Sequence, residues 1–116
     1  MISSYVFPAL EYVLKRRGVR DKYIAVGAGF LLRCWDRGLC GGAGPFLQLC
    51  RDDPVCAYIE DVVKKKDAER ALGLYAWYLK CTGRRAVKPL DMEGVIEYYD
   101  YTDELVKKYA PPGLPC

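Results

Sequence analysis

The chain has no histidine and no asparagine, and its only side-chain amide is Gln48. Without histidine it lacks the side chain that most often moves protons near neutral pH. It also has only two serines and two threonines, and none of them stands in a nucleophile-elbow sequence. We therefore expect a protein that is not an enzyme and has no catalytic residue.

Long hydrophobic runs are missing as well. No uncharged stretch approaches the roughly 20 apolar residues that cross a bilayer, so we expect no membrane span. The first eight residues, Met-Ile-Ser-Ser-Tyr-Val-Phe-Pro, have neither the basic nor the apolar region of a secretory leader, which favours an intracellular protein. With 116 residues, 52% of them hydrophobic, the chain is expected to form one domain, residues 1–116, with a proline-rich tail over 110–116.

The chain does contain six cysteines, an even number that is typical of a disulfide framework. The close C-x2-4-C pairs of structural zinc sites are absent, so we expect neither a metal nor another cofactor. No histidine is available to activate a cysteine as a nucleophile. All six are therefore assigned to disulfides: Cys34, Cys40, Cys50, Cys56, Cys81 and Cys116.

Two disulfide connectivities fit the spacing. In a nested connectivity Cys40 bonds Cys50 and Cys34 bonds Cys56, which joins two helices. In a local connectivity Cys34 bonds Cys40 and Cys50 bonds Cys56, and each bond closes across a helix end. In both cases the two remaining cysteines bond each other and hold the C-terminal tail.

Disulfides in an intracellular protein are characteristic of hyperthermophiles, whose proteins are also poor in heat-labile amides. The six cysteines and the near absence of amides point the same way. We therefore expect a heat-adapted protein in the cytoplasm of such a host or in a virion.

Apolar residues recur at helical spacing almost throughout, which predicts an all-α, disulfide-stapled bundle of about five to six helices. The fourth and fifth helices are predicted as separate elements or as one continuous rod. The expected helices run from about Ser3 to Gly18, Asp21 to Gly38, Pro45 to Arg51, Asp53 to Lys66, Asp67 to Gly83 and Asp91 to Tyr109.

Several local features of these helices are specific enough to check. Pro8 is expected in the first turn of its helix, and Asp21 and Asp53 are expected to cap the second and fourth helices. Gly27 and Gly29 lie inside that second helix, where glycine is unfavourable, so they predict the close approach of a neighbouring backbone. The fifth helix is expected to bury Leu72, Tyr75, Ala76 and Leu79.

Three clusters of basic residues are the candidates for phosphate binding, although the net charge is only +3. Tyr12, Tyr23, Trp77 and Tyr78 lie near them in sequence and are expected to pack or stack beside the phosphates. The alternative is that the clusters are the solvated charges of a heat-adapted surface. The cluster residues are Arg16, Arg17, Arg20 and Lys22, then Lys64, Lys65 and Lys66, and finally Arg84, Arg85 and Lys88.

The C-terminal part of the chain has the opposite charge. Residues 89–116 contain six acidic and two basic side chains, and the chain has ten tyrosines. Tyrosine is common at protein–protein contacts, so these features favour self-association in which the acidic segment meets a neighbour's basic cluster.

In this overall character the chain resembles the small, tyrosine-rich helical proteins of hyperthermophilic crenarchaea and their viruses. The resemblance implies a self-assembling structural protein that binds the DNA backbone, such as a capsid or nucleocapsid component of a virion. One alternative is a small dimeric regulator, because the short Gly-Val-Arg turn between the first two helices has the outline of a helix-turn-helix. The other is a protein-interaction module with no nucleic-acid role.

Overall fold

Regular structure in the computed structural model is entirely helical in the residues that it describes, which are 2–83, 106–108 and 116. The all-α prediction is confirmed. Residues 106–108 are also helical, whereas the rest of the predicted sixth helix, the proline-rich stretch 111–115, and Arg84, Arg85 and Lys88 lie outside the described residues. The helices are α1 (Ile2–Arg16), α2 (Asp21–Arg37), α3 (Gly44–Cys50), α4 (Pro54–Lys65) and α5 (Ala68–Cys81).

α1 is the central helix and packs against α2, α3, α4 and α5. Its apolar residues recur at intervals of three and four, so they form one wide stripe that neighbours cover. Burial of each large side chain in this stripe contributes roughly 1.5–3 kcal/mol to stability. The fully buried residues are Val6, Ala9, Leu10, Val13 and Leu14.

Pro8 lies inside α1, whereas the sequence predicted it in the first turn. The difference arises because the helix already begins at Ile2. Proline has no N–H, so the carbonyl of Ser4 loses its partner within the helix. Ser4 is exposed, and water can therefore satisfy that carbonyl.

The starts of α4 and α2 show one confirmed and one wrong cap prediction. At α4, the buried carboxylate of Asp53 accepts hydrogen bonds from the N–H groups of Val55 (2.8 Å) and Cys56 (3.3 Å). At α2, the cap residue is Arg20, which makes no side-chain cap hydrogen bond, and Asp21 is the first helical residue. The Asp21 carboxylate therefore acts on the positive end of the helix dipole and does not cap it.

α4 and α5 are separate helices. Lys66 adopts a left-handed conformation with φ of 51°, which ends α4, and the Asp67 carboxylate then accepts from the Arg70 N–H at 3.2 Å. The Arg70 guanidinium closes this junction, because it donates to Asp67 Oδ2 and to Asp61 Oδ2, each at 2.8 Å. Its hydrogen bonds hold the pKa of both carboxyls below the usual value.

We predict that Arg70→Gln lowers the stability of the protein at neutral pH more than in acid. A carboxyl whose pKa is lowered by folding stabilises the fold above its ordinary pKa of about 3.8, and this contribution fades as the pH falls through the lowered value. Denaturant unfolding of both proteins between pH 7 and pH 2 measures the difference.

The control for this comparison is Lys64→Gln. It removes an exposed ion pair with Glu60 (2.8 Å) and is expected to change stability little at any pH. A difference between the native protein and Arg70→Gln that stays constant down to pH 2 would contradict the assignment.

The buried face of α5 is broader than the predicted stripe. Ala76 and Leu79 are buried as expected, but Leu74 and Trp77 are buried too, and Leu72 and Tyr75 are only half-buried. The reason is that α5 packs against both α1 and α4 and therefore buries two adjoining faces.

Gly27 and Gly29 of α2 differ in the space around them. A Cβ on Gly27 would lie 2.7 Å from the Phe46 ring and 3.1 Å from Leu14 Cδ1, so the close approach exists but is made by side chains. A Cβ on Gly29 would meet nothing within 4 Å. The prediction of a neighbouring backbone is wrong at both positions, and packing explains only Gly27.

We expect Gly27→Ala to lower the free energy of unfolding by about 1–3 kcal/mol, because the new methyl group overpacks the contact with Phe46. Gly29→Ala is the matched control in the same helix. It is expected to raise the free energy of unfolding by up to about 1 kcal/mol, because alanine favours the helix and has open space. Equal effects of the two substitutions in denaturant titrations would refute this explanation.

The disulfides follow the local connectivity, and the nested alternative is wrong. The left-handed Gly38 at the end of α2 turns the chain back, which brings the first two cysteines together. The second bond spans the short turn from α3 to α4, and the third ties the C-terminus to the end of α5. The bonds join Cys34 to Cys40, Cys50 to Cys56 and Cys81 to Cys116.

We predict that removal of the Cys81–Cys116 bond destabilises the protein more than removal of Cys34–Cys40. The two bonds span sequence separations of 35 and 6 residues. In the chain-entropy description they restrict the unfolded chain by about 4 and about 2 kcal/mol. Paired Cys→Ala variants compared by denaturant unfolding test this order, and the reverse order would contradict it.

Candidate nucleic-acid interface

The turn between α1 and α2 collects basic side chains at one end of the bundle. Gly18 has φ of 88°, and the Val19 N–H bonds the Leu14 carbonyl at 3.1 Å, so the chain reverses within a few residues. The basic residues from the last turn of α1, through the connection, to the first turn of α2 are all exposed around this reversal. We call them the junction cluster: Lys15, Arg16, Arg17, Arg20 and Lys22.

The junction cluster has little internal compensation of charge. No residue that the structure describes forms an ion pair with any of its five members. Arg17 Nε donates to the Leu49 carbonyl at 3.0 Å, which links the turn to α3. Arg16 and Lys22 instead lie over the rings of Tyr12 (5.9 Å) and Tyr23 (4.9 Å). The cluster is therefore a cationic surface that can accept an external anion.

The lysines at the end of α4 lie at the opposite end of the bundle. Lys66 lines the same cavity as Ile2 at the start of α1, whereas the junction cluster lies at the end of that helix. The 15 residues of α1 separate the two ends by about 22 Å. Lys64 and Lys65 also pair with carboxylates one turn earlier, at 2.8 and 3.3 Å. The structure does not bring these lysines together with the junction cluster.

Of the four aromatic residues expected beside phosphates, one is exposed. Tyr23 is 47% exposed, whereas Tyr12 and Tyr78 are half-buried and Trp77 is 4% exposed. The rings of Tyr12 and Trp77 meet edge to face at 5.6 Å in the contact between α1 and α5. The helical spacing of Ala71, Leu74 and Trp77 could have revealed this burial from the sequence.

α2 returns alongside α1 in a helical hairpin. Gly27 lies against Leu14 near the junction, and the C-terminal half of α2 reaches Ile2 at the other end of α1. In a helix-turn-helix the two helices instead cross at a steep angle. The exposed residues of α2 next to the cluster include apolar Tyr23 and Val26, which is 48% exposed. These side chains have few groups that hydrogen-bond base edges.

Metal and membrane sites were also sought in the part of the chain that the structure describes. It contains no cluster of three or more histidine, cysteine, aspartate or glutamate side chains that is placed to hold a metal ion. None of its helices is both long and apolar enough to cross a membrane.

Comparisons with protein-family models, curated proteins and solved structures find no match to the chain. No function therefore comes to it from a relative. Functional inference rests on the geometry and charge described above.

Proposed function

We propose that this protein is a non-enzymatic structural protein that binds the phosphate backbone of double-stranded DNA and assembles along it with further copies of itself. The observation that carries the proposal is the junction cluster, in which five exposed cations at one end of the bundle have no ion-pair partner among the described residues. Such cations bind phosphates and release counterions, a contribution to affinity that does not depend on sequence.

The surface beside the junction cluster supports backbone binding without base readout. Base recognition requires hydrogen-bonding side chains that enter a groove. After Asp21 and Lys22, the large side chains exposed here are those of Tyr23 and Val26, on the helix that a helix-turn-helix would use for recognition. A sequence-specific regulator therefore receives less support than a general DNA-binding protein.

The same two side chains support self-association. Tyr23 and Val26 are each nearly half exposed, one turn apart on α2, and apolar surface of this kind is typical of protein contacts. The acidic segment 89–116 adds a charge complementary to the junction cluster of a neighbouring copy. The resemblance to crenarchaeal viral proteins extends the proposal to a virion component.

The salt dependence of DNA binding tests the proposed surface. Each cation that contacts a phosphate contributes roughly 0.9 to the slope of log affinity against log salt. The triple variant Arg16→Gln/Arg20→Gln/Lys22→Gln should therefore make that negative slope shallower by roughly 3. Fluorescence anisotropy with several unrelated duplexes measures the slope, and the duplexes should bind alike.

The control is Lys64→Gln/Lys65→Gln, which removes two paired cations from the opposite end and should leave the slope almost unchanged. Sizing and electron microscopy of the complexes should show long, regular assemblies. A discrete dimer on one preferred duplex would support the regulator instead. Absence of binding at low salt would contradict every DNA-binding role.

A further inference from the structure

A cavity opens at the end of the bundle that lies opposite the junction cluster. It lies between the start of α1, the C-terminal half of α2 and the end of α4, and its volume is about 540 Å³. This volume is within the range of small-molecule sites, about 300–1,000 Å³. Its apolar lining comes from Ile2, Leu32 and Val63.

The other lining residues are Ser3 and four charged residues, of which three are basic. Arg33, Arg37 and Lys66 provide three exposed cations, and Asp36 is the only carboxylate among the described lining residues. Arg37 Nε lies 3.9 Å from Asp36 Oδ2, a long and exposed ion pair that leaves the guanidinium free to bind another anion. The Arg33 guanidinium rests over the Phe30 ring at 5.3 Å, which restricts its position.

Lys66 stands where glycine would suit the backbone better. Among the described residues it is the only non-glycine residue with a positive φ, and it holds the left-handed position that ends α4. Glycine is the usual residue at that position because it has no Cβ penalty. Lysine supplies a charge to the cavity there, and glycine would not.

We propose that this cavity binds a dispersed anionic amphiphile, in which one carboxylate or phosphate head group is joined to an apolar chain. The apolar lining accommodates the chain, because burial of its surface removes it from water. The arginines present the planar N–H groups that pair with carboxylate or phosphate oxygens. Three cations against one carboxylate disfavour a cationic ligand, and the apolar lining disfavours a purely polar anion. The proposal is independent of DNA binding, which involves the opposite end.

The probes are decanoate and decyl phosphate, each used below its micelle concentration, with decanol and inorganic phosphate as controls. Calorimetry of the native protein should show that at least one of the first two binds roughly tenfold more tightly than either control. The better of the two identifies the preferred head group. Methyl resonances of Leu32 and Val63 should shift with that probe.

Variants of the basic lining residues distinguish recognition of the charged head group from burial of the apolar chain alone. Arg33→Gln/Arg37→Gln should weaken binding of the preferred probe at least roughly threefold. Lys66→Gly should also weaken it, while raising the denaturant midpoint because glycine suits the backbone. Lys65→Gln, at the neighbouring residue outside the lining, should leave affinity unchanged.

The proposal is overturned if decanol or inorganic phosphate binds as tightly as the two amphiphiles, or if no probe binds. It is equally overturned if Arg33→Gln/Arg37→Gln or Lys66→Gly binds the preferred probe as tightly as the native protein does. DNA binding by the native protein should persist in Arg33→Gln/Arg37→Gln, so the two proposals can fail separately.

Discussion

Burial of the apolar stripe of α1 is the interaction on which the rest of the structure depends. Neighbouring helices cover its buried residues, because α2, α3, α4 and α5 all pack against this one helix. Three of the surrounding helices are short, with 7 residues in α3, 12 in α4 and 14 in α5, and isolated helices of such length are marginal in water. Packing against α1 supplies the stability that their own backbones lack. The cap at Asp53 and the Arg70 junction then set where the surrounding helices begin and how two of them meet.

The central position of α1 also separates two charged surfaces in the part of the chain that the structure describes. Its C-terminus leads into the junction cluster, and its N-terminus borders the cationic cavity. Both surfaces combine exposed cations with neighbouring apolar side chains, yet their shapes differ. The junction cluster surrounds a tight turn and is suited to an extended polyanion. The cavity is concave and limited in volume, so it is suited to one small anion with an apolar body.

Sequence reasoning succeeded at most helix ends, where the signal is local, although it misplaced the cap of α2 at Asp21. Asp53, Asp67 and Gly38 mark helix ends through hydrogen bonds or backbone conformations that involve only a few neighbouring residues. It failed where packing decides. Trp77, expected beside phosphates, is buried, and Tyr75, expected in the core, is only half-buried, because α5 contacts two helices at once. Gly27 is explained by an aromatic ring, a contact that helix propensity could not reveal.

The sequence by itself determined the helical class and most helix boundaries, because periodicity, caps and glycine stops act within a few residues. The sequence also assigned the cysteines to disulfides and not to a metal site or to catalysis, since it has no histidine and no closely spaced cysteine pair. Only the tertiary structure chose the local connectivity, because that choice depends on which chain reversals bring sulfur atoms together. It alone showed that Lys66 and the junction cluster lie at opposite ends. Residues distant in sequence acquire neighbours only when the helices pack, and charge and shape at a site arise from those neighbours.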